Sequence, residues 1–163
     1  MTMKILAAVA LVLVGLQLVP VDRSAPADQG PLVIGDPVVA ELVDRACADC
    51  HTNETTWPWY SRVAPLSWWV ADHVHEGREE LNLSRWGAMD AERKDHKLEE
   101  FIEMVEEGEM PLPSYTWGHP EARLTSPERQ TLVAWARSMR QGLGVADGDQ
   151  EEPGDGAAGG SGP

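Results

Sequence analysis

Two cysteines sit close together and directly before a histidine, in Cys47-Ala48-Asp49-Cys50-His51, and they are the only cysteines in the chain. Two thiols at this spacing can add to the two vinyl groups of a haem, leaving two thioether bonds. The adjacent imidazole then lies beneath the iron as an axial ligand. Rival chemistries need a context that this sequence lacks. A thioredoxin-like dithiol belongs to a βαβ unit, and no such pattern surrounds the motif. A structural zinc ion takes four ligands, usually from paired motifs. No second cysteine pair exists, and His73 and His75, two residues apart, face different ways on a helix and read as non-ligands. A disulfide between Cys47 and Cys50 would close an unusually short loop. The motif therefore predicts one haem c, bound covalently through Cys47 and Cys50, with His51 as the proximal ligand of its iron.

A second signal follows in Gly108-Glu109-Met110-Pro111-Leu112-Pro113. A thioether is a soft, neutral ligand, and Met opposite His raises the reduction potential of a haem. Pro111 and Pro113 restrict the backbone around Met110. Met110 is thus the expected distal ligand, with His119 as the alternative. Trp57, Tyr60 and Arg62 follow the attachment motif closely and are candidates for the haem environment. An indole N–H or phenol O–H can reach a propionate, and Arg can pair with one. An iron with both axial positions filled exchanges electrons and leaves no room for substrate, so the expectation is a one-electron carrier with no catalytic residues. The alternative is a haem peroxidase, or a gas or redox sensor, with an open iron. It needs a distal His and Arg, and His119 with Arg123 is the only local pair.

These residues must be positioned by helices. Asp36-Pro37 reads as a capped helix start, and Val39, Leu42, Val43 and Ala46 recur at helical spacing into Cys47. A second helix is expected from Ser67 to about Leu81, with Val70, Val74, Gly77 and Leu81 on one stripe. A third runs from about Ala91 to Glu107, striped by Leu98, Phe101, Ile102 and Val105 and ended by Gly108. A fourth starts at the capping box Thr125-Ser126-Pro127-Glu128 and is striped by Leu132, Trp135, Ala136 and Met139. No segment alternates as a strand, so the expected fold is all-α, with irregular stretches at 52–66 and 108–124.

The ends of the chain differ from the middle. One Lys precedes an apolar run over 5–19, which matches an export segment. The small-residue pattern Ala25-Pro26-Ala27 lies several residues beyond that run, which favours an uncleaved anchor over a removed signal. The expected organisation is a signal or anchor helix at 1–21, a linker at 22–35, a haem-binding domain at 36–140 and a disordered acidic, Gly-rich tail at 141–163. The domain is then expected in the periplasm or on the outer face of the cytoplasmic membrane. The net charge of −14 excludes nucleic acid as a partner, because phosphate neutralisation needs clustered Lys and Arg. Glu99, Glu100, Glu103, Glu106, Glu107 and Glu109 suggest instead a face for a basic redox partner.

Three longer motifs carry a family resemblance. They are Cys-x-x-Cys-His-Thr-Asn-Glu-Thr-x-Trp-Pro-Trp-Tyr from Cys47 to Tyr60, Ala64-Pro65-Leu66-Ser67-Trp68, and Gly108-Glu109-Met110-Pro111-Leu112-Pro113-Ser114-Tyr115. Over residues 36–140 the chain resembles the haem-binding domain family of exported or anchored bacterial proteins. The Met-Pro loop followed by a capped helix also resembles the end of class I cytochromes c. That resemblance implies a small cytochrome c-like fold. It also implies that Pro65 or Pro58 stands where cytochromes place a Pro whose carbonyl holds the proximal His ring. The stretch 114–121 is longer than in those cytochromes and contains His119.

Overall fold

The computed structural model of the protein describes residues 2–144, and among them only helices, turns and loops occur. The helices form where local signals place them. The Asp36 carboxylate accepts from the backbone N–H of Val38 at 2.8 Å and of Val39 at 3.4 Å, with Pro37 in the first turn. These bonds satisfy donors that a helix start leaves unpaired. The chain contains α1 (Thr2–Leu16), α2 (Pro37–Ala46), the single turn α3 (Ala48–His51), α4 (Leu66–Glu80), α5 (Ala91–Glu107), the short α6 (Pro113–Gly118) and α7 (Ser126–Leu143). Tight 3₁₀ turns lie at Trp59–Arg62, Leu83–Ala88 and Pro120–Ala122. The stretches expected to be irregular thus contain short helical pieces.

The core lies where α2, α5 and α7 meet. Val39, Leu42, Val43 and Ala46 of α2 are buried, as are Leu98, Ile102 and Val105 of α5 and Leu132, Val133 and Ala136 of α7. Trp135 packs edge-on against Phe101, with ring centroids 5.9 Å apart. Arg140 reinforces the α5–α7 pair with two 2.8 Å bonds to the Asp95 carboxylate. Fork geometry of this kind is stronger than a single-point surface pair. α5 ends at Gly108, whose φ of +77° is a left-handed conformation that glycine adopts without strain. α7 opens with both halves of its capping box formed between Thr125 and Glu128.

α4 departs from the expected stripe. Its buried residues are Ser67, Ala71, Val74 and Arg78. Small and polar side chains face inward because α4 lies against α3 and the loop after it rather than against the apolar core. Arg78 is tolerated there because its guanidinium donates to Thr52 O at 2.9 Å, Ser24 O at 2.9 Å and Thr55 Oγ1 at 2.8 Å.

Segment 22–35, read above as a linker, lies hydrogen-bonded along the domain. Gln29 N–H donates to Ser84 O at 3.0 Å, and Leu32 N–H to Leu83 O at 2.8 Å. Leu32 and Ile34 pack against the core. α1 is apolar all round and makes no buried residue of its own. No helix among the described residues is long and apolar enough to cross a membrane. α7 continues through the first residues of the expected tail and ends at Leu143, capped by Gly144; the rest of that tail, 145–163, lies outside the described residues.

Candidate functional site

The attachment motif occupies the junction of α2 and α3. Cys47 closes α2 by donating its N–H to Val43 O at 2.9 Å, and its own carbonyl accepts from Cys50 and His51 at 3.3 and 2.9 Å. A single helical turn therefore presents both thiols and the imidazole. The thiols are not joined to each other. Burial pushes Cys47 up to about 12, with the neighbouring Cys50 adding to it. Burial and then the Asp49 charge push Cys50 up to about 11, against a smaller opposing effect of Arg78. Both sulfurs are thus protonated at neutral pH. That differs from a reactive redox dithiol, whose attacking cysteine has a depressed pKa.

His51 donates from Nδ1 to the Leu81 carbonyl at 2.9 Å. A carbonyl only accepts, so the proton resides on Nδ1 and Nε2 keeps its lone pair. This is the tautomer a metal-ligating imidazole requires. Burial lowers the His51 pKa first of all, partly opposed by the carbonyls of Leu81 and Gly77 and the charge of Glu80. A neutral, oriented imidazole is therefore in place. The family resemblance assigned this orienting role to Pro65 or Pro58, and the structure corrects it. The Pro65 carbonyl accepts from Trp68 N–H at 3.1 Å, and the Pro58 carbonyl from Ser61 at 3.1 Å, so each is engaged in starting its own helical turn. Leu81 caps α4, and its carbonyl faces the His51 ring.

His51 and Cys47 line an apolar cavity of about 400 Å³, a volume in the range of cofactor sites. Met110 and Pro111 line the same cavity, together with Phe101, Met104 and Leu124. The thioether expected as distal ligand is thus brought into the space that holds the proximal imidazole. It is placed there by Gly108, which turns the chain so that Glu109 and Met110 both donate their N–H to Met104 O, at 3.0 and 3.1 Å. The donor set, a neutral imidazole with a free Nε2 and a thioether in one apolar cavity, fits a haem iron. Met104 is a second thioether that sequence reasoning missed. It sits one turn before Gly108, and its side chain gave no signal beyond ordinary helix filling.

Cys50 borders a different cavity of about 630 Å³, lined by Trp59, Tyr60, Trp69, Tyr115, Trp117 and His119 among others. The attachment turn therefore stands at the border of two apolar spaces. His119 belongs to the second. Its Nε2 lies 3.0 Å from Tyr60 Oη, its ring stacks on Tyr115 at 4.3 Å, and its Nδ1 lies 3.4 Å from the Glu121 carboxylate. Arg123 donates to Thr116 O at 3.2 Å and is exposed. Neither His119 nor Arg123 lines the cavity of His51. Tyr115 donates to Asp49 Oδ2 at 2.8 Å, which ties α6 to the attachment turn.

Trp57 and Arg62 lie elsewhere. Trp57 sits beneath the Arg23 guanidinium, 5.6 Å from it, and both Trp57 and Arg62 border a groove shared with Gln17 and Ala64. Gly77 was missed as a site residue. A Cβ there would stand 2.9 Å from Cys50 O, so its absence is what lets α4 close on the attachment turn. His73 accepts no role at the cavity of His51; its Nδ1 bonds Trp69 O at 3.0 Å. His75 bonds Asp22 O at 3.2 Å.

No curated protein and no solved structure matches the chain. A family model does, over residues 11–138, and its reach includes the segment that lies along the domain before α2. Matched over residues 11–138, with an imidazole and a thioether lining one apolar cavity and Cys50 of the same turn bordering the next, the chain belongs to the haem-binding domain family.

Proposed function

We propose that this haem-binding protein carries one haem c, attached through Cys47 and Cys50, and transfers single electrons outside the cytoplasm. The observation that carries the reading is the shared cavity. His51, with its tautomer fixed by Leu81, and Met110 both line it. When bound, haem supplies an iron that cycles between two oxidation states by one electron. The chain's own residues do the rest. Leu81 O holds the imidazole proton at Nδ1 and so keeps Nε2 basic. Met110 offers a neutral ligand that favours the reduced state. Phe101, Leu124 and the other apolar walls exclude water. Filling both axial positions favours an electron carrier over a peroxidase or sensor. The separation of His119 and Arg123 from this cavity supports the same choice.

The acidic surface of α5 supports docking of a basic redox protein. Part of that surface is engaged internally, since Glu99 pairs with Arg140 and Glu106 with Arg137. Glu103, Glu107 and Glu109 are exposed. The apolar α1 supports a membrane anchor that holds the domain on the outer face of the cytoplasmic membrane.

The experiment is to co-express the chain with a c-type maturation system, denature it, extract with acidic organic solvent and weigh the polypeptide. One haem should remain bound, and the folded protein should give a six-coordinate low-spin spectrum. A polypeptide that loses its haem on extraction refutes covalent attachment. A high-spin spectrum refutes the carrier reading.

A further inference from the structure

The chain has seven Trp, and two of them are left almost bare on its surface. Trp59 is 78 % exposed and Trp117 82 %. Both line the larger cavity, and the half-bare Leu66 and Trp69 line it too. Val63, within the same stretch of chain, is also exposed. Scattered apolar residues on a surface need no explanation, but a contiguous set that includes three indoles marks an interaction site. Its electrostatics are unusual for this chain. The stretch 57–70 contains no carboxylate and a single cation, Arg62, in a protein of net charge −14.

The position of α1 says what covers this patch. Gln17, just past the end of α1, exchanges two hydrogen bonds with the backbone of Ala64. Its Nε2 donates to Ala64 O at 3.1 Å, and its Oε1 accepts from Ala64 N–H at 3.0 Å. Ala64 is buried and stands between Val63 and Pro65-Leu66, at the edge of the patch. The residue that follows the apolar helix is thus bonded to the domain at Ala64, which joins the two at that point. α1 has 15 residues. At 1.5 Å per residue it reaches about 22 Å, short of the ~30 Å of a bilayer's hydrocarbon core. A short apolar segment draws whatever flanks it toward the bilayer.

We infer that the domain rests on the lipid surface through Trp59, Val63, Leu66, Trp69 and Trp117, with α1 inserted beside them. The inference rests on the reading of α1 as a membrane anchor and extends it to the domain itself. Indole rings favour the headgroup level, where the apolar body is buried and the N–H stays wet. The absence of carboxylates in 57–70 lessens the repulsion that this acidic chain would meet at an anionic surface, the nearest acidic groups being Asp49, which lines the same cavity, and the exposed Asp72, one turn after Trp69. The mouth of the larger cavity, beside Cys50, then faces the membrane.

The test uses the full chain, haem-loaded, labelled with 5-fluorotryptophan and reconstituted in phosphatidylcholine nanodiscs. The discs contain a headgroup-chelated lanthanide, gadolinium or its diamagnetic control lanthanum. Single Trp→Phe variants assign the seven fluorine signals. Gadolinium should broaden Trp59, Trp69 and Trp117 several-fold more than Trp86 and Trp135, which belong to the core. The lanthanum control cancels broadening by the haem iron. A protein that stays in the discs with all these signals equally sharp, or equally broadened, overturns the seated domain and leaves the anchor standing. A protein that elutes apart from the discs overturns the anchor, and the seating with it.

Discussion

Gly77→Ala tests the geometry of the attachment turn directly. Within a helix this substitution ordinarily stabilises by ~1 kcal/mol, because alanine loses less backbone entropy. Here the new Cβ would stand 2.9 Å from Cys50 O, 3.0 Å from Cys50 Cβ and 3.3 Å from Cys50 C. Ordinary contact begins near 3.4 Å, so α4 must back away by about half an ångström. The obstacle is mainly backbone and cannot swing aside. Overpacking of this kind costs ~1–3 kcal/mol, which outweighs or cancels the propensity gain. Gly142→Ala is the matched control, since it lies in α7 with nothing within 4 Å of the added carbon. Urea denaturation followed by circular dichroism should place Gly77→Ala below Gly142→Ala by ~1–3 kcal/mol. The same displacement moves Leu81, whose N–H closes α4 on Gly77 O at 3.0 Å, and so shifts the carbonyl that holds His51. Haem loading of Gly77→Ala should fall with its stability. If Gly77→Ala is as stable as Gly142→Ala, the close approach of α4 to the attachment turn is refuted.

Met110→Ala should lower the reduction potential and abolish the weak sulfur-to-iron band of the oxidised spectrum, whereas Met104→Ala and His119→Ala should keep it; an unchanged Met110→Ala spectrum would move the ligand elsewhere. The haem-free protein should lose stability as pH rises above 9.0, the unfolded thiol value, toward 11–12, because unfolding releases thiol protons that the folded state retains. The loss should be ~1 kcal/mol per thiol for each pH unit above the unfolded value and should vanish in the Cys47→Ala/Cys50→Ala variant, as read from urea midpoints at pH 8 and 10. A chain truncated to begin at Asp36 should unfold at lower urea than the full chain. It forfeits the packing of Leu32 and Ile34 and the bonds of residues 24, 29 and 32 to Arg78, Ser84 and Leu83; equal midpoints would show that this segment contributes nothing.

Local chemistry was readable and non-local hydrogen bonding was not. α2, α5 and α7 begin or end where the residues say, because Asp36-Pro37, Thr125 with Glu128, and Gly108 act within one turn of themselves. The candidate pair His51 and Met110 was singled out by type, as a CxxCH motif and a Met in a Pro-flanked loop, and the fold brings both to one cavity. The carbonyl that orients His51 announces nothing, as every residue has one. Only the fold reveals that Leu81 O is free to accept while Pro58 O and Pro65 O are engaged. The inward face of α4 was misplaced because Arg78 reads as a surface residue. Its burial depends on acceptors at Ser24, Thr52 and Thr55, which lie on three separate stretches around the motif. Segment 22–35 reads as a loop by composition, and it is irregular. What composition hides is that its backbone is bonded to residues 83 and 84.

The turn that carries the CxxCH motif is held by a dense set of hydrogen bonds. Cys47 N–H is bonded back into α2, Cys47 O accepts from Cys50 and His51, and the loop that follows is fastened through Arg78. Asp49 adds three further ties, its carbonyl accepting from Thr55 Oγ1 at 2.6 Å and its carboxylate from Thr56 N–H at 2.9 Å and Tyr115 Oη at 2.8 Å. Through Tyr115, the turn is coupled to the loop that carries Met110, only a few residues upstream. His51 N–H bonds Cys47 O and Tyr115 Oη bonds the Asp49 carboxylate, so the candidate imidazole and the helix that follows Met110 are both tied to the same short turn. Under the proposed ligation, a loop tied down in this way would lose little freedom on presenting Met110 to the iron, which matters for a weak ligand such as a thioether.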